Sequence, residues 1–144
     1  IIFSVHPRTR LRIENHKISF PSQVNLVKPL GYFDYLKLQI ESKVVFSDSG
    51  TITEESSLLN FPALNIRNTH ERPEGMEEAS VMLVGLNIDR IKQALKILYN
   101  QKRGKLRTLN NVKDYAIDNV SEKILRIILS YVDYTNIYNW KKDI

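Results

Sequence analysis

The residues with the clearest chemical potential lie between positions 47 and 55, where a short apolar run gives way to a helix-forming stretch. Free N–H groups at a helix N-terminus attract an anion, and the helix dipole adds to that attraction. Gly50 lets the backbone approach such an anion closely, and the hydroxyl groups of Ser49 and Thr51 add hydrogen-bond donors. A phosphate at this site is therefore physically reasonable.

Two acids, Glu54 and Glu55, follow one turn into that helix, at a depth that suits hydrogen bonds from neutral diol hydroxyls. A purely structural interpretation fits as well. In it Asp48 or Ser49 is the N-cap, Gly50 is a turn residue, and the two acids favour the first helical turn. The sequence has no GxGxxG and no GKS or GKT motif, so neither dinucleotide nor P-loop chemistry is indicated.

A second polar cluster follows another predicted strand, in residues 67–74. It combines two arginines, a histidine and two acids: Arg67, His70, Glu71, Arg72 and Glu74. Guanidinium groups next to carboxylates can form a site for a charged substrate. The alternative is a solvated loop with internal ion pairs.

A third cluster, His6 with Arg8 and Arg10, also comes directly after a strand. The arginines either meet phosphate or are surface charges, with His6 a hydrogen-bonded residue at the strand end. Basic residues also gather in 90–107, but Tyr99 is the only aromatic residue among them. Stacking on bases is poorly supported there, and a solvated helix face is favoured over a nucleic-acid patch.

Alternating strands and helices must position these residues. The sequence predicts strands at 1–5, 24–27, 43–47, 63–66 and 80–84. It predicts helices at 8–15, 32–40, 52–60 and 88–101, and another that Ser121 caps; loops are expected at 68–75 and 102–120. This order indicates an α/β fold with a parallel sheet and helices on both faces, and such sheets bind ligands at the carboxyl ends of their strands.

Composition excludes several functions. The 144 residues carry a net charge of +5, which does not by itself imply nucleic acid, and they include no cysteine. Disulfides, zinc–thiolate sites and thiol nucleophiles are therefore excluded. No apolar run is long enough to span a membrane, which predicts a soluble protein. The first residue is Ile1, and neither a start Met nor a signal peptide is present, so we expect a piece of a longer chain.

The string SDSGTITEESSLLNFPALNIRNTHERPEG resembles the C-terminal half of the non-hydrolysing UDP-N-acetylglucosamine 2-epimerases. That family has a (T/S)DSGG-like turn, a Glu-Glu pair, a helix, a strand and an ERPE loop; here Thr51 stands where a second glycine is common. The segments VHPRTR, PLGYFDYLKL and SYVDYTNIYNWKKD are also similar to a branch of the family. The resemblance extends over nearly the whole chain and favours the functional interpretation of the first two clusters.

The resemblance implies a Rossmann-like domain that forms the C-terminal half of a GT-B-like fold. It implies a UDP-binding domain at 1–118 and a helical tail at 119–144 that packs on an N-terminal domain. The family eliminates UDP from a UDP-linked 2-acetamido sugar and adds it back to invert C2, with no external cofactor and no metal. We expect a cytoplasmic homodimer that supplies precursors for capsule or other surface polysaccharide and that binds neither nucleic acid nor membrane.

The resemblance also implies roles for individual residues. Ser49 and Gly50 would bind pyrophosphate, Glu55 would bind the ribose hydroxyls with Glu54 as its neighbour, and Tyr35 would contact the uracil. Glu71 and Arg72 would face the sugar-phosphate as candidate catalytic residues, while the main proton-transfer carboxylates would lie in the N-terminal half. His6 resembles a histidine near a regulatory nucleotide-sugar site.

Two alternatives remain open at this point. One is a 2-epimerase that acts on a 6-deoxy L-sugar and gives UDP-N-acetyl-L-fucosamine, which the PLGYFDYLKL and HPRTR segments favour somewhat. The other is half of a GT-B glycosyltransferase, which shares phosphate binding at a helix terminus and an acidic ribose contact, although the ERPE loop argues against it.

Overall fold

A computed structural model describes residues 1–143 of the chain. The strands are β1 (Ile2–Ser4), β2 (Asn25–Val27), β3 (Val45–Ser47), β4 (Ala63–Asn65) and β5 (Met82–Leu83). The helices are α1 (Pro7–Asn15), α2 (Tyr32–Glu41), α3 (Ile52–Leu59), α4 (Pro73–Glu77), α5 (Ile88–Leu98) and α6 (Val120–Tyr134). A 3₁₀ turn at Lys113–Tyr115 precedes α6, and a π-helical turn at Thr135–Asn139 follows it. All five predicted strands are present.

The strand pairs of the described chain are all parallel, as the alternating pattern predicted. β1 pairs with β2, with Phe3 opposite Leu26. β4 lies between β3 and β5, with Leu64 opposite both Phe46 and Met82. Parallel neighbours bring their carboxyl ends to one edge, so the turns after β3 and β4 lie side by side. The strands fall into two hydrogen-bonded groups, β1-β2 and β3-β4-β5.

The core lies on both faces of the β3-β4-β5 sheet because successive residues of β4 point to opposite sides. Ala63 packs with Ile52, Phe61 and Val81 on one face. Leu64 packs on the other face, in a cluster with Val84, Ala94 and Leu98. Helix α3 thus covers one face and α5 the other, which confirms the predicted layering.

Helix α4 corrects the expected loop at 68–75. It begins at Pro73, whose fixed φ and missing N–H suit the first helical position. Gly75 is buried in it, and a Cβ at this position would lie 2.1 Å from Thr53 Cγ2 of α3. Glycine therefore permits a contact between α3 and α4 that any larger residue would force apart.

The segment predicted as a loop at 102–120 also contains local structure. Its 3₁₀ turn is anchored at α3, since Ser57 Oγ accepts the N–H of Val112 at 3.0 Å. Helix α6 begins at Val120, with Asn119 at the N-cap in the left-handed region at φ 57°, so the prediction that Ser121 caps the helix was wrong. An asparagine tolerates that conformation better than a serine does.

Helix α6 has 15 residues, and none of them is buried, a property that it shares with α1 but not with α2, α3 or α5. Among residues 1–143, its only extensive contact is with the π-helical turn that follows it. Across the described residues, no helix combines the length and the apolar character that a membrane span requires.

Candidate functional site

The turn between β3 and α3 forms the base of the candidate site. The Ser49 N–H donates to Ser47 Oγ at 3.0 Å, and Ser49 Oγ shares a hydrogen bond of 3.0 Å with Thr51 Oγ1. Thr51 occupies the N-cap position, and its side chain makes no capping hydrogen bond. The purely structural interpretation was therefore wrong about the N-cap, because the helix starts two to three residues after Asp48 or Ser49. The first turn of α3 thus has no cap from the Thr51 side chain, and the N–H of Thr53 donates to the carbonyl of Gly50 at 3.3 Å. A helix N-terminus of this kind attracts an anion.

Arg72 brings a positive charge to this helix N-terminus. Its Nε donates to Glu54 Oε1 at 2.6 Å, and its Nη1 donates to the carbonyl of Glu71 at 3.3 Å. The Nη2 atom lies 3.8 Å from where a Cβ on Gly50 would stand. The hydrogen bond and the charge of Glu54 raise the pKa of Arg72, so the guanidinium stays charged. The structure thus joins the first two sequence clusters, with Arg72 neutralising Glu54 next to Gly50.

Glu55 faces a different neighbour, in α2. Its Oε2 accepts a hydrogen bond of 2.6 Å from Gln39 Nε2. Tyr35 precedes Gln39 by one turn, and burial raises the pKa of the Tyr35 hydroxyl, with the negative charge of Glu55 adding to that effect. The negative charge of Glu55 in α3 therefore acts on Tyr35 in α2.

Glu71 is less directly placed than Arg72. Its carboxylate is exposed and bonds Arg67 Nη2 at 2.9 Å, four residues earlier in the chain. Arg67 in turn donates its backbone N–H to Asn65 Oδ1 at 3.0 Å. The loop thus contains an internal ion pair, Arg67–Glu71, as the solvated-loop alternative predicts. The side chain of Arg72, in contrast, extends from the loop and contacts Glu54 of α3.

A second set of contacts fixes α4, the helix that directly follows Arg72. Tyr115 donates its hydroxyl hydrogen to Glu74 Oε1 at 2.8 Å. Burial raises the pKa of Tyr115, and the hydrogen bond with Glu74 raises it further. The pKa of Glu74 is lowered, first by a hydrogen bond from its own backbone N–H and then by that from Tyr115. Tyr115 and Gly75 thereby fix the helix that follows Arg72.

Sequence reasoning missed Gln39, Tyr115 and the packing role of Gly75. Gln39 had a usable signal, because it lies four residues after Tyr35 and so on the same face of α2. Tyr115 had none, since it is 41 residues from its partner Glu74.

His6 lies outside this cluster. Its Nδ1 accepts the backbone N–H of Arg8 at 3.2 Å, which makes His6 the N-cap of α1. It follows β1, in the strand pair that is separate from β3-β4-β5. His6 is thus a hydrogen-bonded residue after a strand, as one interpretation of the sequence predicted. A regulatory role for His6 stays a prediction.

A cavity of about 360 Å³ lies at the opposite edge of the sheet, by the first residue of β4, Ala63, and the residue before β5, Val81. Its lining contains no charged side chain. Among residues 1–143, no group of three or more His, Asp or Glu side chains could hold a metal ion. The charged side chains of the site, Arg72, Glu54 and Glu55, thus lie at the carboxyl edge of the sheet.

The fold and the site together define a doubly covered parallel α/β domain with a charged cluster at the carboxyl ends of its strands, the edge where such domains bind ligands. Comparison with known proteins identifies the family. A model of the UDP-N-acetylglucosamine 2-epimerase family matches residues 1–129. The chain belongs to the UDP-N-acetylglucosamine 2-epimerase family.

Individual relatives agree with that model. A UDP-N-acetylglucosamine 2-epimerase of Methanocaldococcus jannaschii is 33% identical over 138 residues, which cover 93% of this chain and 36% of the relative. The structure of the enzyme from Rickettsia bellii is 45% identical, with a TM-score of 0.86, and the match covers 99% of this chain and 39% of that one. A Methanocaldococcus jannaschii enzyme in complex with UDP-GlcNAc and UDP gives a TM-score of 0.77 at 31% identity, covering 90% of this chain and 35% of that one.

The chain therefore spans little more than a third of the length of these relatives. It corresponds to the C-terminal part of a GT-B-like enzyme, and its Rossmann-like α/β class is confirmed.

Proposed function

We propose that this chain is the UDP-binding part of a UDP-N-acetylglucosamine 2-epimerase. The observation that carries the proposal is the position of Arg72. Its guanidinium lies next to Gly50 at the N-terminus of α3, while Glu55 lies one helical turn deeper and faces α2. A pyrophosphate at the helix start and a ribose one turn, about 5 Å, further along match the spacing within a nucleotide.

The roles follow from this placement. Ser49, Gly50 and the first-turn N–H groups of α3 bind the pyrophosphate, and Arg72 adds a charge-assisted hydrogen bond. Glu55 accepts hydrogen bonds from the ribose hydroxyls, and Tyr35 packs by the uracil. Glu54 holds Arg72 in position, which explains how an acid is tolerated close to a phosphate.

The proposed reaction is elimination of UDP to a 2-acetamidoglycal, followed by re-addition of UDP with inversion at C2. Arg72 stabilises the charge that develops on the departing pyrophosphate. Glu71 lies in the same loop and orients Arg67 through their ion pair. Proton transfer at the sugar needs an acid and a base, and these belong to the part of the enzyme outside these 144 residues. The chain alone binds UDP without turnover.

The remaining parts of the proposal concern the whole enzyme. The tail, residues 119–144, packs on the N-terminal domain, which supports the sugar side of the site. The full-length enzyme is a cytoplasmic homodimer that supplies surface-polysaccharide precursors, and His6 belongs to a regulatory site. Assay of the intact enzyme with UDP-N-acetylglucosamine and with the 6-deoxy L-sugar nucleotide separates the two substrate branches. Release of UDP only with an acceptor would instead indicate a glycosyltransferase.

Calorimetry with UDP tests the nucleotide site. We expect Ser49→Ala and Glu55→Ala each to weaken binding by about tenfold, the effect of losing one hydrogen bond to a charged group. Ser130→Ala and Glu122→Ala, on the exposed helix α6, are the matched controls and leave binding unchanged. Unchanged UDP affinity in Ser49→Ala and Glu55→Ala would refute the site.

A further inference from the structure

Gln39 is a buried polar residue that the proposed roles do not use. It lies in α2 with 2% of its surface exposed, and it is the only fully buried residue of that helix. Its amide reaches α3, where Nε2 donates to Glu55 Oε2 at 2.6 Å. A side chain on one helix therefore fixes the acid that the proposal gives to the ribose.

The chemistry of Glu55 decides which way the amide of Gln39 points. An ionised carboxylate only accepts hydrogen bonds, so the NH₂ group must face it and Oε1 must turn away. Within residues 1–143, that Oε1 is buried and has no hydrogen-bond partner. A buried acceptor without a partner destabilises a fold. An apolar side chain of similar size would avoid this cost but would lose the hydrogen bond to Glu55, so the use of the amide lies in its contact with that carboxylate.

The hydrogen bond acts on the part of Glu55 that a ligand would contact. It engages Oε2 and leaves Oε1 for a further donor. A carboxylate held at one oxygen no longer rotates freely, and its second oxygen keeps one direction before a ligand arrives. Such preorganisation raises affinity because the ordering cost is met in the free protein.

Gln39 also lies next to the residue proposed for the base. Tyr35 is one helical turn before it, and the amide of Gln39 acts to lower the pKa of Tyr35, against the rise that burial causes. Gln39 thus lies beside the residues proposed for both the uracil and the ribose.

We propose that Gln39 is a positioning residue that holds Glu55 toward the ribose diol, and that it thereby makes the site prefer ribonucleotides to 2′-deoxyribonucleotides. The inference rests on the proposed UDP site and adds a specificity-determining residue to it.

Gln39→Met tests this, because methionine keeps the size and removes the donor. We expect the wild-type chain to bind UDP about tenfold more tightly than 2′-deoxy-UDP, the effect of one hydrogen bond to a charged group. In Gln39→Met, calorimetry should show UDP affinity falling to that of 2′-deoxy-UDP, whose own affinity stays constant. Gln93→Met, on the surface of α5, is the matched control and keeps the wild-type ratio.

The possible failures are distinguishable. Absence of UDP binding to the wild-type chain overturns the proposed function itself. If the wild type binds UDP, then equal loss for both nucleotides in Gln39→Met, or an unchanged ratio, overturns only the role of Gln39. If the variant does not fold, the side-chain amide NMR signals of wild-type Gln39 decide. They should move more with UDP than with 2′-deoxy-UDP, and equal movement contradicts the inference.

Discussion

Helices α5 and α6 carry similar amphipathic patterns but have different surroundings. Ala94 and Leu98 of α5 are buried against Leu64 of β4. No residue of α6 is buried. Six of its aliphatic residues are more than half exposed: Val120, Ile124, Leu125, Ile127, Ile128 and Leu129.

The difference shows what an apolar face can and cannot predict. Spacing of three and four residues predicts a helix and its apolar side, whereas the surface that covers this side depends on the rest of the chain. For α5 that surface is the sheet of the same domain. For α6 we propose the N-terminal domain, since this chain covers only 36% and 39% of the length of two relatives.

We expect the largest change in the free energy of unfolding when a leucine of α5 is replaced, and a small change for a leucine of α6. Leu98 is 8% exposed and Leu129 is 66% exposed. We expect Leu98→Ala to lower the free energy of unfolding by about 3 kcal/mol, because it leaves a cavity in the core. Leu129→Ala should change it by less than about 0.5 kcal/mol in this chain. Urea denaturation checks both, and equal losses would contradict the difference between the helices.

Two glycines, Gly75 in α4 and Gly50 in the site, differ in the space around them. We expect Gly75→Ala to cost about 2 kcal/mol, because overpacking against Thr53 outweighs the better helix propensity of alanine. A Cβ on Gly50 meets only the Arg72 guanidinium at ordinary contact distance. Gly50→Ala should therefore keep stability within about 0.5 kcal/mol and still weaken UDP binding, because its methyl group occupies the phosphate approach.

Thermal unfolding and UDP calorimetry on the same two variants separate packing from binding. A stable Gly75→Ala, or a Gly50→Ala that binds UDP as the wild type does, would show that the two glycines have been assigned the wrong roles.

Much of this site could be predicted from the sequence because its parts are local. Ser49, Gly50, Glu54 and Glu55 lie in one turn and the helix after it, and parallel strands bring the arginine loop to the same edge. Arg72 contacts Glu54, 18 residues away, and this contact depends on α4. The sequence predicted a loop in place of α4 because the segment contains a proline and a glycine. The pairs Gln39–Glu55 and Tyr115–Glu74 join separate elements, and no local pattern encodes them.

One arginine–glutamate pair lies in the site and another lies on α6, and the two can be compared. Arg72 pairs with Glu54 at 2.6 Å in the site, and Arg126 pairs with Glu122 at 2.8 Å on exposed α6. We expect Arg72→Ala to weaken UDP binding by about tenfold, as a charge-assisted hydrogen bond is lost. Arg126→Ala should leave it unchanged. Calorimetry at constant salt checks this, and an equal loss in both variants would indicate a general charge effect.

The smallest effect concerns Tyr115. The lowered pKa of Glu74 means that folding favours its ionised form. This contribution to stability is present above the ordinary pKa and is lost as the pH falls through the folded-state pKa. Tyr115→Phe removes one cause, so the pKa of Glu74 should rise toward its ordinary value, measured by NMR titration. Tyr138→Phe in the tail should not change it, and an unmoved pKa in Tyr115→Phe would exclude the hydrogen bond.

We propose that UDP binds at the carboxyl edge of the sheet, and mapping UDP on the ¹⁵N-labelled chain by NMR shows where it binds. We expect shifts at the amides of Ser49, Gly50 and Thr51, and at the side chains of Gln39 and Arg72. The opposite edge, at Val81 and Leu109 of the 360 Å³ cavity, should stay unchanged. Shifts confined to that cavity, or no shifts at saturating UDP, would contradict it.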